Sequence, residues 1–316
     1  PAHILCMSIR LQACRHLPTK MKMSMSCVFA LVVILGSMEQ SGADVVFAAI
    51  GDWGAGTTAQ KDVAKSMAGW MDKNKGDFIV TLGDNFYSGV SDTKHKYWED
   101  RWKKVYTQRS LQKTWYVTLG NHDHNRGKAK NQVAYSKVNS KWHLPKNYYS
   151  FTKGSGSGKV HFIMLDTTPL VKGDSRQLRW LESELKKPKG SWIVVCGHHP
   201  AFSGPEGGVN SRMSKDVYSL LNKYKVAVYL AGHVHNLEHL RENGKRASSC
   251  TDLVVSGAGG ARGRTKKGGY RNVQSVAFKE AYGFIGVKIS SSKLSISFID
   301  KSGKTTYSFS KSNPRK

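Results

Sequence analysis

The chain has 316 residues, of which 39% are hydrophobic and 22% charged, which suits one large globular domain, or two, with an ample core. Three of its five cysteines lie in the first 27 residues, which excludes a disulfide-stapled scaffold. The 49 Lys and Arg against 22 Asp and Glu give a formal net charge of +27, which favours anionic partners: phosphorylated substrates, nucleic acid or acidic surfaces.

The first 43 residues differ in character from the rest. Residues 20–23 are basic, residues 24–35 are apolar, and small residues follow up to Ala43. This pattern predicts a leader over 1–43, with a signal peptide at about 20–43, ahead of a single domain over 44–316. We therefore expect a secreted or lumenal protein of the endomembrane system, a lysosome or a vacuole. An uncleaved anchor is the alternative, although the apolar run is short for a span of about 20 residues, and no stable span is expected once the leader is removed.

From residue 44 onward, short apolar runs end in glycine and a polar side chain. Strands predicted over 45–50, 78–82 and 115–119 run into Gly51-Asp52, Gly83-Asp84 and Gly120-Asn121-His122-Asp123. A helix with Val63 and Met67 on its apolar face follows the first strand, capped by Thr57 or Thr58. A polar helix with aromatic anchors is predicted over 95–106.

The same alternation continues in the second half. Strands are predicted over 160–165, 192–196 and 226–231, and the last two run into Gly197-His198-His199 and Gly232-His233-Val234-His235. Helices are predicted from Asp174 or Ser175 and over 217–224, and residues 154–158 are interpreted as a hairpin loop. A basic glycine-rich loop covers 261–272, and the runs 284–289, 294–299 and 305–310 alternate like sheet-edge strands.

Each polar strand end has an ordinary interpretation when taken alone. Gly83-Asp84-Asn85 is common turn chemistry, and Asn121 could be a helix cap. The alternative for Asp84 is a metal bridge, because a carboxylate has two oxygens, and Tyr87 could then bind one of the cations as a phenolate. Five such strand ends together are hard to explain as coincidence.

The carboxyl ends of strands in open α/β sheets are where ligands gather, so these residues are expected to converge. Carboxylates, an amide, a phenol and imidazoles suit iron, zinc or manganese. Eight ligand bonds, with one carboxylate bound to both metals, would be enough for two cations. Such a pair of cations can hold both the attacking and the leaving oxygen of an in-line displacement. No serine nucleophile elbow and no Walker-type loop is present in the sequence.

The motif series Gly-Asp-x-Gly, Gly-Asp-x-x-Tyr, Gly-Asn-His-Asp, Val-x-x-His and Gly-His-x-His resembles that of the purple acid phosphatases, within the binuclear metallophosphoesterases. The flanking residues are most similar to the small, tartrate-resistant type, over about 45–310. Tyr87 is the most diagnostic residue. The resemblance implies an α/β fold, a four-layer αββα sandwich of two mixed sheets flanked by helices.

The resemblance also implies the function, an acid phosphatase that hydrolyses phosphate monoesters by attack of a metal-bound hydroxide. The implied Fe(III) ligands are Asp52, Asp84, Tyr87 and His235, and the implied ligands of a second, divalent cation (Fe, Zn or Mn) are Asp84, Asn121, His198 and His233. The Tyr87 phenolate on Fe(III) would give the protein its colour. Asn121 and His122 would contact the substrate, and His122 would help to protonate the leaving oxygen.

One position departs from the family pattern. The family usually places a further pocket histidine after Gly-His-x-Pro, where this chain has Gly207. His199 replaces a common tyrosine, and its side chain should point away from that of His198 if the backbone is extended. Leaving-group protonation and substrate preference are therefore where this chain is expected to differ.

Three other functions remain open. A catalytically weak or inactive scaffold of the same fold is favoured by the missing histidine and opposed by the seven retained ligand positions. A phosphodiesterase or pyrophosphatase is the nearest enzymatic alternative. A nucleic-acid binder would fit the charge, but no binding module is recognisable, so no nucleic-acid partner is expected. The expected partners are phosphomonoester substrates, and the expected oligomeric state is a monomer.

Overall fold

A computed structural model describes residues 44–203, 211–245, 250–261 and 272–315. The predicted signal peptide, Gly207 and most of the basic glycine-rich loop lie outside the described residues. No helix within the described ranges has the length and apolar character that crossing a membrane requires.

The described strands, numbered in chain order, are β1 (Val45–Ile50), β2 (Phe78–Thr81), β3 (Trp115–Tyr116), β4 (Trp142–His143), β5 (Tyr149–Lys153), β6 (Val160–Met164), β7 (Trp192–Cys196), β8 (Val228–Ala231), β9 (Leu237–Glu242), β10 (Asp252–Ser256), β11 (Val273–Lys279), β12 (Gly283–Ile289), β13 (Lys293–Asp300) and β14 (Thr305–Ser312). The described helices and helical turns are Thr58–Lys73, Trp98–Lys103, Arg109–Leu111, Asn125–Gly127, Ala129–Tyr135, Gly156–Gly158, Thr167–Leu170, Ser175–Lys186, Met213–Tyr218 and Ser219–Lys223.

These strands form two mixed sheets of seven strands each, counted over the described part of the chain. The first sheet has the order β14-β13-β12-β1-β2-β3-β4, and the second has the order β11-β9-β10-β8-β7-β6-β5. In the first, β1 to β4 are parallel and β12 to β14 are antiparallel. In the second, β6, β7, β8 and β10 are parallel. The strands that precede the polar motifs, β1, β2, β3, β7 and β8, all belong to these parallel sets.

Side chains that alternate between the two faces of the second sheet explain how the layers form. Along β7, Val194 faces one hydrophobic core, whereas Ile193 and Val195 face another. The first core lies between the two sheets, where Phe47 of β1 meets Phe162 of β6 with ring centroids 5.3 Å apart. The second lies between the second sheet and its helices. Strands buried on both faces are nearly continuous apolar runs, as observed here.

Helices cover the outer faces and complete the layers. Helix Thr58–Lys73 buries Val63 and Met67 against the first sheet, and the Thr57 side chain accepts a hydrogen bond from the Gln60 amide, 3.2 Å away. Helix Ser175–Lys186 buries Leu181 against the second sheet and is capped by Asp174. The architecture confirms the predicted αββα sandwich, and the antiparallel pairing of β5 with β6 confirms the hairpin.

Two predictions about local structure were wrong. Strand β12 lies inside the first sheet between β1 and β13, so it is not an edge strand, and of the three tail strands only β14 is at an edge. The polar helix predicted over 95–106 is shorter, because regular helical structure covers only Trp98–Lys103, with π geometry. Trp98 stacks on Tyr135 with ring centroids 3.5 Å apart, so tertiary packing overrides the local pattern here.

Candidate metal centre

The polar motifs follow the carboxyl ends of β1, β2, β3, β7 and β8, and they converge on one rim of the two sheets. Three of these residues have left-handed backbones: Asp52 at φ 57°, Asp84 at φ 51° and His233 at φ 71°. This region is uncommon for residues with a side chain, and such strain clusters at functional sites. Of the six non-glycine residues with positive φ in the described ranges, three therefore lie at this rim.

The glycines of these motifs leave room for the polar side chains. A Cβ added at Gly120 would overlap the Asp84 carboxylate, and one added at Gly232 would lie 2.7 Å from Asp52 Oδ2. A Cβ at Gly83 would lie 2.5 Å from Nδ1 of His198. Gly83, Gly120 and Gly232 are thus required by the close approach of neighbouring loops at this rim.

One group of donor atoms comes from Asp52, Tyr87 and His235. The Tyr87 hydroxyl lies 3.3 Å from Asp52 Oδ1 and 3.0 Å from His235 Nε2. His235 Nε2 is in turn 3.3 Å from Asp52 Oδ1. A carboxylate oxygen, a phenol oxygen and an imidazole nitrogen therefore form a triangle.

A second group comes from Asn121, His198 and His233. Asn121 Oδ1 lies 3.0 Å from His198 Nε2 and 3.1 Å from His233 Nδ1. The two ring nitrogens are 3.2 Å apart. This triangle contains one amide oxygen and two imidazole nitrogens.

Asp84 is placed against the second group and close to the first. Its Oδ1 lies 3.5 Å from His198 Nε2, and donor atoms of Asp52, Asp84 and His198 all fall within 4.8 Å of one another. The His122 backbone amide donates to the same Oδ1 at 3.0 Å. All seven ligand positions predicted from the sequence are therefore brought together.

The tautomer of His198 follows from its neighbour. His198 Nδ1 lies 2.8 Å from the Leu82 carbonyl oxygen, which can only accept, so Nδ1 carries the proton. Nε2 therefore presents its lone pair toward Asn121 and Asp84. A ring nitrogen held in this way by a backbone carbonyl is the usual arrangement of a metal-binding histidine.

Burial makes the carboxylates costly to ionise. Desolvation raises the pKa of Asp52 to about 7, even though His235 beside it acts in the opposite direction. Burial also raises the pKa of Asp84, and it raises the pKa of Tyr87 well above its ordinary value, with Asp52 adding to the effect. Within the described ranges these two carboxylates pair only with histidines. The site therefore lacks the positive charge that two buried carboxylates require.

Burial also disfavours the charged form of two of the imidazoles. Burial lowers the pKa of His198 well below its ordinary value and lowers the pKa of His233. Neutral imidazoles are the form that binds metals, and the neighbouring carboxylates would supply the anionic charge. The donor set thus fits cations, with room for one at each triangle and Asp84 between them.

His122 lies at the mouth of this centre. Its Nδ1 is 3.1 Å from the Tyr87 carbonyl oxygen, so Nδ1 carries the proton and Nε2 is turned toward Asp84, 3.9 Å from Oδ2. The side chain is 40% exposed, in contrast to the buried Asp84. His122 can therefore reach a molecule that enters from solvent.

Asp123 is a residue of this region whose role the sequence did not reveal. It is fully buried and accepts hydrogen bonds from the backbone amides of Asn85, Phe86 and Gly120 at 2.9–3.1 Å. It therefore ties the loop that carries Asp84 to the loop that carries Asn121. Its position in the Gly-Asn-His-Asp motif could have indicated a role, but only the structure shows which backbone amides donate hydrogen bonds to it.

The orientation predicted for His199 was wrong. Its ring lies 5.0 Å from that of His198 and 4.6 Å from that of His233, centroid to centroid, so it does not point away from the centre. Strand β7 ends at Cys196 and the backbone bends at His198 and His199, so the alternation of an extended strand does not apply. The Thr167 hydroxyl lies 2.8 Å from His199 Nδ1 and accepts hydrogen bonds from the backbone amides of His198 and His199.

Comparisons with known proteins show the family to which the chain belongs. The calcineurin-like phosphoesterase family matches residues 45–237. The chain is 34% identical to human tartrate-resistant acid phosphatase type 5 over 295 residues, covering 83% of this chain and 89% of that protein. It is 31% identical to purple acid phosphatase 7 of Arabidopsis thaliana over 291 residues, covering 84% of this chain and 85% of that protein.

Two solved structures share the fold. GAP50, the anchor in the inner membrane complex of Plasmodium, superposes with a TM-score of 0.74 at 24% identity, over 85% of this chain and 89% of that one. Purple acid phosphatase PPD1 from yellow lupin seeds superposes with a TM-score of 0.67 at 18% identity, over 85% of this chain and 54% of that one. At these identities the likeness supports the fold alone.

Proposed function

Because the chain belongs to the calcineurin-like phosphoesterases and is a phosphatase of the purple acid phosphatase group, we propose that it hydrolyses phosphate monoesters at a centre of two cations. The observation that carries this proposal is the pair of donor triangles, with the Asp84 carboxylate against one and close to the other. When bound, the two cations would supply the Lewis acidity that activates water for attack on phosphorus.

We assign the two sites by the composition of the triangles. Asp52, Tyr87 and His235, with Asp84, would hold Fe(III), and Asn121, His198 and His233, with Asp84, would hold a divalent Fe, Zn or Mn ion. Burial and neighbouring carboxylates raise the pKa of Tyr87, so its phenol would ionise only beside a strongly charged cation. This requirement supports a ferric ion on the Tyr87 side.

The remaining polar groups would position the substrate and move its proton. Asn121 lies at the divalent site, close to where a phosphoryl oxygen would enter. His122 keeps Nε2 free because Nδ1 is held by the Tyr87 carbonyl. We propose that Nε2, once protonated, donates to the leaving oxygen as the ester bond breaks.

Substitution of His122 tests this role directly. His122→Gln should lower kcat by about 100-fold, a typical contribution of general acid catalysis, and more for an alkyl phosphate than for p-nitrophenyl phosphate, whose leaving group needs no proton. Metal content should be unchanged. Equal losses on both substrates would contradict proton donation by His122.

Activity assays separate the proposed function from its alternatives. The protein should release inorganic phosphate from p-nitrophenyl phosphate near pH 5 and act much more slowly on bis(p-nitrophenyl) phosphate. A reversed preference would favour a phosphodiesterase. Two bound metal ions without turnover on any phosphate ester would favour the inactive scaffold.

The cellular location remains a proposal from sequence. The basic, apolar and small-residue segments of residues 20–43 support entry into the secretory pathway. N-terminal sequencing of protein recovered from a secreting host should begin near residue 44. Protein that keeps its leader and pellets with membranes would favour the uncleaved anchor.

A further inference from the structure

A cavity of about 400 Å³ opens beside the candidate metal centre. Its lining residues are Tyr87, Ser88, Asn125, Arg126 and Lys128. Tyr87 belongs to both the cavity and the metal centre, so a molecule in the cavity lies next to the proposed ferric site. The volume is in the range of pockets that hold small molecules.

Contacts of Asn125 join the cavity wall to Tyr87 and His122 of the candidate metal centre. The Asn125 side-chain amide donates to the Tyr87 carbonyl at 3.3 Å and lies 3.5 Å from His122 Nδ1. Lys128 Nζ donates to the Ser88 carbonyl at 2.9 Å. This hydrogen bond holds the ammonium group at the cavity, with two of its three protons left for another acceptor.

The cavity wall carries two positive charges and no negative one. Over the described ranges, neither Arg126 nor Lys128 forms an ion pair with a carboxylate. The Arg126 side chain is exposed, and its backbone is left-handed at φ 52°, followed by Gly127 at φ 70°. The Arg126 guanidinium is therefore available to an anion that enters the cavity from solvent.

An exposed arginine is ordinary on a chain of net charge +27. Arg126 and Lys128 differ from the scattered surface charges because they lie four and six residues after His122 and line a cavity that includes Tyr87. A monoester with no other charge would leave both cations without a partner. A substrate with a second anionic group would pair with them while its first phosphate occupies the metal centre.

We propose that this cavity selects small phosphomonoesters that carry a second phosphate, such as a sugar bisphosphate. The inference rests on the proposed phosphatase function and adds its substrate class. Arg126 supplies a planar pair of donors suited to phosphate, and Lys128, which also lines the cavity, supplies a second positive charge. The volume of about 400 Å³ suits a sugar-sized group.

Steady-state kinetics on two substrates tests this specificity. Fructose 1,6-bisphosphate and fructose 6-phosphate share the sugar and differ by one phosphate. The wild type should show a KM about tenfold lower for the bisphosphate, and added salt should reduce this advantage. Arg126→Gln should raise the KM for the bisphosphate about tenfold more than the KM for the monophosphate.

A matched variant controls for the loss of one positive charge. Lys130 is exposed, lies two residues beyond Lys128 in helix Ala129–Tyr135 and does not line the cavity, so Lys130→Gln should leave both KM values unchanged. Equal KM values of the wild type on the two substrates, or equal effects of Arg126→Gln and Lys130→Gln, would overturn the inference while leaving the phosphatase function intact. Failure of the wild type to hydrolyse any monoester would instead overturn the proposed function.

Discussion

The two sheets contribute different chemistry to the candidate metal centre. Loops of the first sheet provide oxygen donors, from Asp52, Asp84, Tyr87 and Asn121, and loops of the second provide nitrogen donors, from His198, His233 and His235. The oxygen side contains buried groups whose ionisation is unfavourable without a cation, whereas on the nitrogen side burial lowers the pKa of His198 and His233 and so disfavours their charged forms. The centre is therefore asymmetric in charge across the boundary between the sheets.

This asymmetry explains how one rim could discriminate two cations. Hard, highly charged ions prefer carboxylate and phenolate oxygens, and divalent ions accept imidazole readily. The Tyr87 triangle holds two oxygens that can become anionic and one nitrogen, and the Asn121 triangle holds two nitrogens and a neutral amide oxygen. Substitutions on either side should consequently have different effects on metal content.

The largest effect is expected at Asp84, which lies between the two triangles. Asp84→Asn removes the charge that both cations would share, so both should be lost and activity should fall by more than about 100-fold, since changes to groups that only support a ligand already cost 10–100-fold. Asp72→Asn, an exposed carboxylate on helix Thr58–Lys73, is the matched control and should have no effect. Metal analysis that finds two ions in Asp84→Asn would rule out the bridging role.

A smaller and one-sided effect is expected on the nitrogen side. His198→Gln should release the divalent ion and lower activity by about 100-fold, while iron and visible absorbance remain. The ferric triangle does not include His198, which is why colour should survive. Loss of iron together with the divalent ion would show that the two triangles do not act as separate sites.

The smallest effect is expected on the stability of the metal-free protein. Its dependence on pH should have opposite signs for the carboxylate of Asp52 and the imidazole of His198. The folded-state pKa of Asp52 is about 7, well above the unfolded value of about 3.8, so its contribution is present below pH 4 and is lost as pH rises toward 7. The lowered pKa of His198 has the opposite consequence, because the unfolded chain takes up a proton below about pH 6.5.

Asp52→Asn isolates the carboxylate half of this effect. In the metal-free state its melting temperature should equal that of the wild type at pH 4 and exceed it at pH 7.5, because the amide carries no buried charge. With metals bound the order should reverse, since the wild type gains a ligand. A constant difference across pH in the presence of a chelator would contradict the buried-carboxylate explanation.

Much of this centre could be predicted because its signal is local. Gly-Asp, Gly-Asn and Gly-His after apolar runs can be recognised without knowing the fold, and the parallel order of the strands brings them together. The missed features depend on distant partners. The orientation of His199 depends on a bend after β7 and on Thr167, and the role of Asp123 depends on amides from the loop after β2. Strand β12 was misplaced because alternation does not reveal which strands will flank it.

We propose that Tyr87 is a phenolate ligand of a ferric ion in a two-metal centre. Metal analysis and a visible absorption spectrum of the purified protein, taken together with Tyr87→Phe, test it most directly. We predict two metal ions per chain, at least one of them iron, with a visible band that disappears in Tyr87→Phe together with bound iron. A colourless wild type without iron, or a visible band that survives in Tyr87→Phe, would contradict the assignment.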